Sequence, residues 1–513
     1  MKIKFILYST LAVVLLAGIS CSKSFLEVSP KGQVLESNYY QTPEQIFSGL
    51  VAVYNCTEAE AGYGINWYAN KLAPLNAAAD ECWAGGGSST DMMAYQVWNN
   101  YTMTSANAIS SKFWAMDYAG IFRANLLLSK LATPVTGLTD AARDRYIAEC
   151  KTLRAYFYFE LVRLFKNIPL ATEPITTAEM YNITQAAPED VYAQIEKDLN
   201  DAIPVLPSTV ASTEYGRLTK GAAMALLGKA ILYENNTARM ADAAYWLNKV
   251  NTSGVYHLLT NYKDIFDPGN KFNAESIWEI SHSGTSQAWW GPSDFRGNVY
   301  CTMIGPRSYS ALTDPINGAP DGDHTYYSGW SFNPIIKAFA TKIHNDPRYK
   351  YTVADLDSLV AIGQASYSPG AGYDNTGLFI QKYAALLKWK CAIGQVDLNW
   401  PNDVIEIRLA DTYLMEAEAL LRQTSPDAVR AKFLLDQVRG RVGLPSVPAT
   451  LDNIYNERML ELATEGHRWF DLVRTGKAAT TLAFKGFTAG KHEVLPIPLE
   501  ELNNTKLVQN PNY

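Results

Sequence analysis

Apolar positions recur every three or four residues along two long parts of the chain. In residues 142–166, Tyr146, Cys150, Leu153, Phe157, Leu161 and Leu164 draw a single stripe down an α-helix. That helix is expected to end near Asn167, ahead of Pro169. An amphipathic helix is also predicted over 113–131. Another opens at Pro188, Glu189 and Asp190, with proline and acids in its first turn, and closes near Pro204. Residues 218–233 form a helix in which Gly221, Ala222, Ala223, Ala225, Gly228 and Ala230 admit a close neighbour, and 238–250 follow after a short polar turn. The C-terminal part continues with a helix over 404–421. Ser425, Pro426 and Asp427 start a second, which runs to Arg441 and is capped by Gly443. A third is predicted from Leu451 to about Thr475.

Short connections between amphipathic helices make antiparallel neighbours. The fold class is therefore mainly α, with helix pairs stacked in tetratricopeptide style but without a strict 34-residue register. The pattern breaks over 284–332, where 49 residues hold seven Gly, four Pro, nine aromatics and no Lys. A smaller patch over 80–98 holds Trp83, the glycines Gly85, Gly86 and Gly87, Tyr95 and Trp98. Long irregular segments on a helical scaffold are where binding sites concentrate.

Composition narrows the classes. Forty-four basic and 51 acidic residues give a net charge of −7 over 513 residues, so nothing marks a nucleic-acid binder. The N-terminus is a basic Met1 to Lys4, an apolar run from Phe5 to Leu16, and small residues leading to Cys21. This is a signal peptide over 1–20, too short to span a membrane. Cys21 sits where a bacterial lipobox places the acylated cysteine, although Gly18 stands where Leu is usual; ordinary secretion is the alternative. Acyl chains on Cys21 would tether the remaining body to a bilayer. The other cysteines, Cys56, Cys82, Cys150, Cys301 and Cys391, include no Cys-x-x-Cys pair and support neither a zinc site nor a disulfide framework.

Six motifs in order resemble the SusD/RagB family of outer-membrane nutrient-uptake lipoproteins of Bacteroidota. They begin with Cys21, Phe25, Leu26, Glu27 and Pro30, then Trp114 through Asn125, then Leu153 to Phe157 running to Pro169 and Leu170. Ile407 to Asp411 leading into Met415 to Ala419 is similar to the family's central C-terminal helix. Glu457 and Arg458 through Glu465 to Leu472 resemble its most specific signature, and Leu495 to Pro498 with the tail Gln509 to Tyr513 completes the set. The resemblance implies one body over 21–513 with four tetratricopeptide-like helix pairs and a glycan site on a loop-rich face away from them. Its parts are 21–250, with most of the pairs, the loop-rich 251–400, and the signature helices and tail of 401–513. It also implies an exterior-facing outer-membrane lipoprotein that lids a SusC-like TonB-dependent transporter and delivers oligosaccharide or polysaccharide to it. Some members take peptides or other nutrients instead.

A sugar site needs flat aromatic faces for pyranose C–H groups and polar groups for the hydroxyls. Trp83, Trp289, Trp290 and Trp330 are the candidate platforms, Tyr300 and Tyr326 are second choices, and Asp80, Arg296 and Asn298 are candidate polar partners. Trp114, Trp246, Trp278 and Trp469 sit in apolar patterns and are expected in the core. Glu461, Glu465, His467, Arg468 and Asp471 are dense enough to look catalytic, but their place in the scaffold predicts a structural network. No hydrolase elbow, zinc-protease motif or phosphate loop is present, and no pair of loop acids is fixed across a substrate, so no enzyme activity and no cofactor are expected. Asp314, Asn317, Asp321 and Asp323 offer oxygen ligands for a structural calcium, yet lack the closing Glu of an EF-hand; a solvated turn is the favoured reading. The expected function is capture of a glycan for a partner transporter. The rivals are uptake of a non-glycan nutrient, or peptide and protein binding on the helix pairs.

Overall fold

The computed structural model describes residues 39–60, 70–106, 108–290, 296–312 and 323–513. Eight helices in it make four successive pairs. Helix α1 (Pro43–Glu60) packs on α2 (Ala108–Leu131), α3 (Asp140–Phe165) on α4 (Pro188–Ala202), α5 (Lys220–Glu234) on α6 (Met240–Asn251), and α7 (Leu409–Arg422) on α8 (Ala428–Arg441). Each pair stacks on the next through α2 with α3, α4 with α5, and α6 with α7, as the tetratricopeptide-like reading requires. The mainly helical fold is thus as expected, and α1 adds a helix that the periodicity did not include.

Local chemistry sets the helix starts. Thr139, Thr219 and Asp427 each accept a backbone N–H from the first turn of α3, α5 and α8. For α8 the cap is Asp427 and not Ser425, two residues later than the sequence predicts. The small residues of α5 do admit a neighbour: a β-carbon at Gly228 would lie 2.6 Å from Cγ of Leu247 on α6. One apolar core runs from Ile46 to Leu507, and Trp114, Trp278 and Trp469 are buried in it as expected; Trp246 is half-buried at its edge.

Two predicted helices are not continuous. Residues 404–408 are a strand, β2 (Val404–Arg408), antiparallel to β1 (Ser276–Ile280), and α7 begins only at Leu409. All five β2 residues are buried, and pairing with β1 satisfies backbone that a helix would have satisfied internally. The predicted 451–475 helix is α9 (Leu451–Glu461) and α10 (Arg468–Arg474), separated where Thr464 and Gly466 take φ of 67° and 79°. At the break, Gly466 N–H donates to Asn76 Oδ1 at 3.1 Å and Thr464 N–H to Glu81 Oε2 at 3.2 Å.

Strand β2 and this break bring charged groups together inside the protein. Arg408, at the end of β2, forks onto Glu465 with Nε to Oε2 and Nη2 to Oε1 both 2.8 Å, and reaches Glu275 at 3.0 Å and Glu461 at 2.5 Å. Lys382 reaches Glu465 at 2.7 Å, Arg348 reaches Glu457 and Glu461 at 2.7 Å, and Arg441 reaches Glu275 at 2.6 Å. Alongside, Arg458 bonds Asp411 at 2.7 Å and Asp471 at 2.9 Å. These side chains are almost wholly buried, so each charge is held by its partners rather than by water. The dense polar motif is a structural network.

The network gives stability a pH dependence. Burial pushes the Asp471 carboxyl up, but Arg458 and Arg474 outweigh it and hold the group down at about 2, against 3.8 in an open chain. A depressed folded value means stability present above pH 3.8 that is lost as pH falls toward 2. Glu81 and Glu279 act oppositely: burial, then the neighbouring Asp80 and Asp403, raise each carboxyl from 4.5 to about 8, so stability declines as pH climbs through that interval. The midpoint of thermal unfolding, followed from pH 2 to 9, is therefore expected to peak at about pH 5 and fall on both sides.

A candidate ligand face on the loops

Two short segments of the loop region are held against each other by main-chain contacts. Gly329 N–H donates to Pro306 O (3.1 Å), Trp330 to Thr302 O (3.0 Å), Ser331 to Gly305 O (2.8 Å) and Phe332 to Met303 O (2.8 Å). Only glycine permits this approach: a β-carbon at Gly329 would stand 2.2 Å from Thr302 O and 2.6 Å from Gly305 Cα. The glycine turn of residues 85–87 lies along the other edge, with Gly86 N–H on Ser331 O and Asn333 N–H on Ala84 O, and Tyr373 N–H closes onto Gly86 O.

Trp330 projects half-buried from this frame. Its carbonyl accepts from Arg307 Nε at 3.0 Å, and the same guanidinium lies 3.4 Å from Asp91, which in turn accepts Gly87 N–H at 2.7 Å. Trp290 stacks near Trp330, with ring centroids 6.2 Å apart and planes 23° from parallel. Trp289 and Trp290 remain 59% and 46% exposed. Such exposure of large rings carries a solvation cost that a folding role does not offset. Their turn is clamped by buried Asn399, whose Oδ1 accepts Ala288 N–H (3.2 Å) and whose Nδ2 donates to Ala288 O (3.0 Å) and Gln395 O (2.7 Å). Gln287, at φ 56°, turns the chain into the two tryptophans. Arg296 is exposed beside this turn, its backbone tied to Ser283 and Ser286.

Trp83 is half-buried on the far side of the glycine turn. Its ring meets Phe484 edge to face at 5.8 Å, and Lys485 Nζ sits 5.0 Å from its centroid. Phe484 is itself 55% exposed, so this pair offers a second aromatic edge.

Four of the predicted site residues are elsewhere. Tyr300 is fully buried, its hydroxyl bonded to Asn76 (2.9 Å) and Asn333 (3.1 Å); Asn333 also holds the Ala73 and Trp83 carbonyls, so Tyr300 supports the frame and presents no face. Tyr326 is buried against Tyr309, with its hydroxyl on His324 and Gln381. Asn298 is buried, donating to Asn402 O and accepting Tyr300 N–H. Asp80 is buried and paired with Arg468 at 2.8 and 3.1 Å, which removes it from any ligand surface. Arg307, Asp91, Tyr373 and Phe484 are the polar and aromatic groups that the sequence reading missed. Arg307 had one signal, as one of only two arginines in 284–332; Phe484 had none, standing in the tail.

Cys21, Asp314, Asn317 and Asp321 lie outside the described residues. Asp323 Oδ1 accepts Thr325 N–H at 3.0 Å, as in an ordinary Asx turn. Among the described residues no group of three or more His, Cys, Asp or Glu is placed to hold a metal ion. Cys56, Cys82, Cys150 and Cys301 are buried thiols and Cys391 is half-buried, with no disulfide between them.

Comparison with known proteins agrees with this architecture. Residues 324–513 match the SusD family model, and residues 24–232 match a second model described as starch-binding associating with outer membrane. A laminarin-binding SusD-like protein is 43% identical and superposes with a TM-score of 0.85, over 92% of this chain and 100% of that one. Surface glycan-binding protein A from Bacteroides thetaiotaomicron, solved in complex with laminarihexaose, is 29% identical at a TM-score of 0.80, over 92% and 100%. The starch-binding protein SusD of Bacteroides thetaiotaomicron is 25% identical over 74% of each chain. These relatives are binding proteins and not enzymes, which accords with a charged motif locked inside the scaffold. The chain belongs to the SusD family.

Proposed function

We propose that the protein captures a glucan of the laminarin type on its loop face and hands it to a TonB-dependent transporter. The observation that carries this reading is the exposed Trp289 and Trp290 beside the stacked Trp330, with Arg307, Asp91 and Arg296 around them. Aromatic faces cover the apolar side of pyranose rings, and the guanidinium and carboxylate groups bond their hydroxyls. Laminarin is the first ligand to test because two structural relatives are described with it or its hexasaccharide. The stacked helix pairs are the proposed docking face for the transporter. No helix among the described residues is long and apolar enough to cross a membrane, and acylated Cys21 supplies the outer-membrane tether, facing the cell exterior.

Native electrophoresis through gels containing laminarin, starch, xylan and mannan tests this directly. Retardation by laminarin is expected; unretarded migration in every gel, with binding of peptides instead, would overturn it. The frame behind Trp330 supplies a second prediction. Gly329→Ala forces the 302–306 and 327–331 segments apart at an overpacking cost of about 1–3 kcal/mol. The protein is expected to stay folded by circular dichroism while its laminarin affinity, read by calorimetry, falls with the displaced Trp330.

A further inference from the structure

A separate cleft of about 530 Å³ opens between the 263–268 turn, residues 323–324 and 350–351, and the 381–389 segment. It is within the size range of small-molecule sites, about 300–1,000 Å³, and none of its lining residues belongs to the Trp290 and Trp330 face. Phe266, Tyr351 and Trp389 supply half-buried aromatic walls. Asn402 lines it, is only 4% exposed, and has an Oδ1 with no hydrogen-bond partner. The indole N–H of Trp389 is likewise buried without an acceptor. Both atoms belong to residues lining the one cleft, and a guest that both donates and accepts would complement them.

The charges around the cleft decide what kind of guest. Lys263, Lys350 and Lys388 are exposed at its rim, and Asp264, Asp267 and Asp323 stand among them, so neither sign dominates. Lys382 also lines the cleft, but Glu465 neutralises it at 2.7 Å. A rim of three cations and three carboxylates selects no ion, while it can both donate to and accept from hydroxyl groups. Lys388 Nζ, 5.5 Å from the Trp389 centroid, is placed to bond the edge of a ring lying on that indole.

We propose that this cleft is a second binding site, for a neutral monosaccharide or disaccharide. Its test is kept apart from the loop face by using the full chain carrying Trp290→Ala and Trp330→Ala. Saturation-transfer NMR with glucose, laminaribiose, maltose and glucuronate is the readout. Signals from at least one neutral sugar are expected to persist in that protein, and the affinity they report to weaken about 30-fold on adding Trp389→Ala, the size of effect an aromatic anchor carries. Lys388→Ala, at an exposed position, is expected to weaken the signal with the unfolding midpoint unchanged, which keeps the test decisive should the Trp389 variant fold poorly. The proposal is overturned by silence from all neutral sugars, by signals indifferent to both substitutions, or by glucuronate outcompeting glucose. Loss of laminarin binding at the loop face would leave each of these outcomes readable.

Discussion

Replacing Trp290 and Trp330 together by alanine is expected to abolish measurable laminarin binding while the far-UV spectrum is unchanged and the unfolding midpoint falls only slightly, through the packing lost at Trp330. The two rings stack with each other, 6.2 Å apart and 23° from parallel, and Trp290 is 46% exposed. An aromatic anchor at the centre of a binding surface carries about 2 kcal/mol or more. Each single substitution should therefore cost on the order of 30-fold in Kd, at about 1.4 kcal/mol per tenfold. Trp290→Ala is the cleaner of the two, since its turn is held by Asn399 through main-chain atoms that the substitution leaves in place. Trp330 is half-buried, and its loss costs some packing as well. Calorimetry with laminarihexaose reads both; a Kd unchanged in the double variant would remove the loop face from the account.

Arg408→Ala is expected to destabilise the fold by about 3–5 kcal/mol, the cost of breaking a buried ion pair by removing one partner. Arg408 answers three carboxylates at once, Glu275, Glu461 and Glu465, and the remaining cations Lys382, Arg348 and Arg441 are already engaged. Without it, uncompensated negative charge stays in the interior. Arg408→Lys should rescue little, because a single ammonium cannot reproduce the two parallel bonds to Glu465. Denaturant unfolding followed by circular dichroism measures the loss. A change under about 1 kcal/mol, the range of surface salt bridges, would contradict the structural reading of this network.

Much of the scaffold was legible in the chain. Helices α3 to α6 end within a few residues of where the stripe, the capping residues and the prolines place them, because these are local signals. What failed was set by distant partners. Val404 to Arg408 continue the apolar pattern of the helix that follows, and only the presence of β1 makes them a strand. The break between α9 and α10 follows from Asn76 and Glu81, nearly four hundred residues away, which take the freed N–H groups.

The site divides in the same way. Trp289, Trp290 and Trp330 stand in a segment too rich in glycine and proline to bury every ring, and composition alone marks them. Tyr300 has the same neighbours but begins a short helix, Tyr300–Met303, that faces Asn76 and Asn333. Asp80 sits in an aromatic patch, yet Arg468 from the signature helix claims it. Arg296 and Arg307 are indistinguishable by composition. Only the fold puts Arg307 on the Trp330 carbonyl.

The most direct measurement is a crystal structure of the protein grown with laminarihexaose. Sugar density lying on Trp290 and Trp330, with hydroxyls within reach of Arg307 or Arg296, is the predicted result. Density confined to the faces of the helix pairs, with the loop tryptophans bare, would contradict the account.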